Sequence, residues 1–113
     1  MKLLTQVQHA KLIANGKASA IEERDHFPVV KLFTPDAGLT WLLSEIRADD
    51  PDTAFGLCDL GMGSPELGYV SLAELATVRG KLGLPVERDR WFEADKTLTA
   101  YALEAREAGC IKA

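Results

Sequence analysis

The sequence predicts an α+β fold: an antiparallel meander of four to five strands packed with about three helices in one two-layer domain. Three observations carry this. The chain has 113 residues, room for one core and no second. Several β-rich runs follow one another with only short turn clusters between them, which favours antiparallel pairing. Segments with helical spacing and capping signals bracket those runs.

The first helix is expected over residues 5–15. Val7, Ala10 and Leu12-Ile13-Ala14 fall at roughly helical intervals, Thr5 and Gln8 form a capping-box pair, and Gly16 stands where a helix stop belongs. A polar connector then runs to about Phe27. Residues 28–34 and 39–46 read as strands joined by Pro35-Asp36-Ala37-Gly38, a type I turn closing into a bulge with Gly38 left-handed. That register sets Phe33 opposite Trp41, Lys31 opposite Leu43 and Val29 opposite Glu45. Val30, Leu32, Leu42 and Ile46 then form the cleaner core face.

Residues 54–59 and 66–70 supply the third and fourth strands around the turn cluster Gly61-Met62-Gly63-Ser64-Pro65. Ser71-Leu72-Ala73-Glu74 opens a second helix with a capping-box pattern, running to about Arg79, with Gly80 and Gly83 ending it. Residues 85–92 form a more polar fifth strand. The last helix spans about 97–108, with Leu98, Tyr101, Ala102 and Ala105 on one stripe and Gly109 as its stop.

Hydrophobic residues make up 47% and charged residues 27%, an ordinary globular composition. Seventeen acidic against thirteen basic residues give a net charge of -4, which argues against a nucleic-acid coat or a binder of anionic membranes. No apolar run approaches a membrane span, and the start lacks the apolar stretch of a secretory signal. Cys58 and Cys110 form no Cys-x-x-Cys unit and read as free thiols of a cytoplasmic protein.

Six acids, Glu45, Asp49, Asp50, Asp52, Asp59 and Glu66, crowd into residues 45–66 beside Arg47 alone. Clustered carboxylates can ligate Mg²⁺ or Ca²⁺ or face a partner. The loop acids suit turn chemistry better, since Asp satisfies local N–H groups. Asp59 and Glu66 flank a Gly-rich turn and could share a metal or divide acid and base roles. Turn capping by Asp59 and an exposed Glu66 is the plainer account. Gly61-Met62-Gly63 is no phosphate loop, because a strand and not a helix follows it. No nucleophile elbow marks Ser44, Ser64 or Ser71 as partners of His26. No cofactor is expected, and the balance is against an enzyme.

Phe33, Trp41, Phe55 and Tyr69 fall on neighbouring strands. Base stacking on such a face needs basic neighbours, and Lys31 is nearly alone. A protein-binding face formed by Lys31, Phe33, Trp41, Glu45 and Tyr69 is the favoured expectation.

Four stretches together carry a family resemblance: Asp25-His26-Phe27-Pro28-Val29-Val30-Lys31-Leu32-Phe33-Thr34-Pro35, Thr40-Trp41-Leu42-Leu43-Ser44-Glu45, Phe55-Gly56-Leu57-Cys58-Asp59-Leu60-Gly61, and Pro65-Glu66-Leu67-Gly68-Tyr69-Val70-Ser71-Leu72-Ala73-Glu74-Leu75. From about Leu3 to Ile111 the chain resembles the bacterial domain-of-unknown-function family 2958. The resemblance implies a small accessory protein of plasmids and integrative elements. It implies no catalytic residue. The leading expectation is thus a non-enzymatic binding or inhibitory module acting on a host or plasmid-encoded protein. The alternatives are a small metal-assisted hydrolase using Asp59, Glu66, Glu45 and His26, and a single-strand nucleic-acid binder.

Overall fold

The computed structural model describes residues 3–113. Along the chain stand α1 (Gln6–Ile21), β1 (Val30–Phe33), β2 (Thr40–Ile46), β3 (Thr53–Asp59), β4 (Glu66–Ser71), α2 (Leu72–Leu75), β5 (Glu87–Arg88) and α3 (Leu98–Ala108). The strands form one antiparallel sheet in the order β4-β3-β2-β1-β5, so the fold is α+β as expected.

Local chemistry explains most element ends. Thr5 and Gln8 close the reciprocal capping box of α1. Ser71 caps α2 by accepting from the Glu74 N–H. Gly109 ends α3 in the left-handed conformation, with φ 78°. The second helix is one turn long and stops well before Arg79, because Thr77 and Val78 donate back only three residues, to the carbonyls of Glu74 and Leu75.

Gly16 is not a helix stop. It lies buried inside α1, and a Cβ there would sit 1.6 Å from the Ile46 carbonyl oxygen. β1 pairs with β2 only as far as Leu43, so α1 takes the next stretch of that edge. Asn15, itself buried, donates its side-chain amide to the Ser44 carbonyl at 2.9 Å. A buried carbonyl needs such a partner.

The register of the first hairpin also differs from expectation. Leu32 faces Trp41, Lys31 faces Leu42 and Val30 faces Leu43. The Thr34 N–H donates to the Leu39 carbonyl and the Leu39 N–H to the Thr34 hydroxyl, closing a four-residue loop with no bulge residue. Gly38 keeps its expected positive φ of 72°. A one-residue slip exchanges the faces of a strand. Trp41 and Leu43 therefore join Val30, Leu32, Ile46 and Leu12 in the main core, while Leu42 joins Leu57 under α3. A break in register between Leu43 and Glu45 brings Ile46 back to the main-core side. Helices cover both faces of the sheet, α1 and α2 on one side and α3 on the other, so the domain has three layers where two were expected.

The N-terminus of α3 is docked by the connector before β1. Leu98 N–H donates to the His26 carbonyl at 2.9 Å, and Thr99 N–H to the Asp25 carboxylate at 3.1 Å. With Thr97 accepting from Ala100, the first turn has its donors satisfied. No helix among the described residues is long and apolar enough to cross a membrane.

Candidate functional site

The expected binding residues do not share one face. Trp41 is 3% exposed in the main core. Lys31 and Phe33 point to the opposite side, and the Lys31 ammonium is engaged by Asp89 at 3.5 Å and by the Ala113 carbonyl at 2.6 Å. Glu45 and Tyr69 do meet, through Phe55. Glu45 and Phe55 are directly paired across β2 and β3, and Phe55 and Tyr69 across β3 and β4. The two rings lie 5.1 Å apart and tilted, and the Arg47 guanidinium sits 5.4 Å over Tyr69.

This strip floors a groove with two adjoining hollows of about 620 Å³ and 380 Å³, which share Glu23, Arg24, Glu45 and Phe55 as lining. α1 provides Ser19 on the first wall, and the connector provides His26 on the second. The Ser19 hydroxyl stands between the His26 Nε2 at 3.0 Å and the Glu45 Oε1 at 3.1 Å. A carboxylate has only acceptors, so the single Ser19 proton goes to Glu45. His26 must then donate to Ser19 from Nε2. This is the reverse of a serine nucleophile activated by a histidine base, in which the imidazole accepts the serine proton. Ser19 has no local signature in the sequence. Its partners are seven and twenty-six residues away.

The two flanking acids of the β3–β4 turn part company. Asp59 is 4% exposed and accepts the N–H groups of Gly61 and Ile111. Glu66 is paired with Cys58, the residue before Asp59, and so lies on the other face of the sheet. The loop acids are similarly engaged. Asp49 grips Arg47 through two bonds of 2.9 Å, and that contact lowers its pKa while raising that of Arg47. Asp50 accepts from Thr53 and from the Asp52 N–H, which lowers its pKa too. Asp52 accepts from the Ser71 hydroxyl and the Ala73 N–H, tying this loop to the start of α2. Among the described residues no group of three His, Cys, Asp or Glu side chains gathers where it could hold a metal ion.

Comparison with known proteins adds one decisive result. The family model described as protein of unknown function (DUF2958) matches residues 3–112. The chain belongs to this family. No curated protein and no solved structure matches it. The DUF2958 match spans every element of the fold, the groove and the Asp59 tether included. The description attaches no activity to the family, so a functional reading has to rest on the groove itself.

Proposed function

We propose that this DUF2958 protein is a protein-binding module that takes an extended segment of its partner along β4, without catalysis of its own. The observation that carries the reading is the state of β4. It ends the sheet, and its apolar side chains Leu67 and Tyr69 remain 39% and 60% exposed beside Phe55. An edge strand offers unpaired backbone donors and acceptors that an incoming strand can use. Tyr69 and Phe55 supply the aromatic anchor that binding interfaces favour.

Charge supports a cationic segment. Glu23, Asp25 and Glu45 line the hollows against Arg24, while Arg47 and Asp49 are paired with each other and cancel. The mobile-element setting implied by the family resemblance points to a host or plasmid-encoded partner, such as a defence or nucleic-acid-handling complex, and to an accessory or inhibitory role.

Selection from a displayed library of random linear peptides tests this. The expected winners alternate apolar residues with Lys or Arg, and Tyr69→Ala or Leu67→Asp weakens them by roughly tenfold or more. Failure to enrich any peptide, or equal binding of the enriched peptides by both the Tyr69→Ala and the Leu67→Asp variants, defeats the proposal.

A further inference from the structure

A third hollow, of about 620 Å³, lies apart from the β4 groove, between the start of α1 and the segment that follows α2. That volume is within the range of small-molecule sites. Its apolar lining comes from Leu3, Leu4, Leu75 and Val86, the last two 4% and 5% exposed. Among the described residues no acidic side chain lines it, although the chain carries seventeen. The polar side chains at its wall include Arg79 and His9, both able to donate to an anion.

The wall bearing Arg79 is held in place. Arg79 bridges to Pro85 as an isolated antiparallel pair, and Gly80 N–H donates to the Leu84 carbonyl at 3.0 Å. Asp36 pins this strap from the far hairpin by accepting the Leu82 N–H at 2.6 Å. One guanidinium nitrogen of Arg79 donates to the Ala76 and Val78 carbonyls, which fixes the group beside the hollow. No carboxylate pairs with Arg79 among the described residues. The guanidinium fork suits a carboxylate geometrically.

We infer that this hollow binds a small amphipathic carboxylate, its apolar chain against Leu75 and Val86 and its head on Arg79, with His9 as a second donor. The inference is independent of the β4 groove. The test is calorimetric titration of the full chain with decanoate and with decylamine, which has the same tail and the opposite charge. Decanoate should bind saturably, one per chain, and decylamine at least about tenfold more weakly. Arg79→Gln should weaken decanoate by roughly tenfold, the lower range for a charge-assisted hydrogen bond. Ala76→Trp, at an exposed lining position, should fill the hollow and abolish binding without disturbing the core. Absence of saturable decanoate binding, equal binding of decylamine, or undiminished binding by Ala76→Trp overturns the inference. The decylamine comparison uses the unaltered protein, so it holds whether or not either variant folds.

Discussion

The Asp59 carboxylate joins the end of β3 to the C-terminal segment: one oxygen accepts the Ile111 N–H at 3.0 Å and the other the Gly61 N–H at 2.9 Å. Ile111 packs against the cluster under α3, so this tether helps hold that layer on the sheet. Asp59→Ala leaves two N–H groups without their acceptor and should cost about 2–4 kcal/mol. Denaturant unfolding measures the loss, and amide exchange at Ile111 should quicken more than in β2. A Mg²⁺- or Ca²⁺-dependent rise in wild-type stability that vanished in Asp59→Ala would instead restore the metal-ligand role.

Gly16→Ala tests the seating of α1 on the open edge of β2. In an exposed helix this substitution stabilises by about 1 kcal/mol through backbone propensity. Here the added Cβ meets the Ile46 carbonyl oxygen at 1.6 Å and its carbon at 2.7 Å, both backbone atoms. The helix has to move away, straining the Asn15–Ser44 bond and the packing of Leu12. The net effect should be destabilising by about 1–3 kcal/mol, the range for overpacked sites. A thermal midpoint equal to or above that of the wild type would show that α1 does not sit this close.

What is legible in the sequence follows the range of the interactions. The Thr5 and Ser71 caps and the Gly38 and Gly109 conformations are decided within a few residues, and the structure bears out each. Strand order follows from short connections, and β4-β3-β2-β1 is accessible on that ground. The faces of β2 are not. They depend on the Thr34–Leu39 closure and on the register shift after Leu43, and one residue of slip moves Trp41 from a binding face into the core. Gly16 reads as a stop by composition, whereas its role is set by a carbonyl thirty positions on. The groove is half legible: Glu45, His26 and Tyr69 stand out in the sequence, but Ser19, which links the first two, carries no local mark. Asp59 and Glu66 flank one turn, yet the alternation of strand side chains separates them.

Cys58 should behave as an inert thiol. Burial alone pushes its pKa up from 9.0 to about 11, so little thiolate forms near neutral pH. Native protein treated with a thiol reagent at neutral pH should leave Cys58 unmodified until it is unfolded. The same shift makes a contribution to stability that depends on pH. Below 9.0 the thiol is protonated in both states and the contribution is complete. Between 9.0 and about 11 the unfolded chain gives up its proton first, so stability falls as pH rises. Cys58→Ala should flatten that fall in denaturant midpoints measured across this window. An unchanged slope would show that the thiol is solvated in the native state.

The Ser19 linkage makes a prediction about a single proton. With Glu45 taking the Ser19 hydroxyl proton, neutral His26 must carry its own on Nε2. Long-range nitrogen–proton NMR correlations should report that tautomer as dominant in the wild type. Glu45→Gln retains a carbonyl acceptor and should preserve it, while Glu45→Ala frees Ser19 to donate to His26 and should raise the Nδ1–H population. Ser19→Ala removes both bonds and should cost about 1 kcal/mol for a half-buried pair of this kind. The chemical consequence is that Ser19 stays unreactive toward fluorophosphonate and sulfonyl fluoride probes. Labelling of Ser19, or a dominant Nδ1–H tautomer in the wild type, would reverse the direction of the proton and turn the groove into a candidate acyl-transfer site.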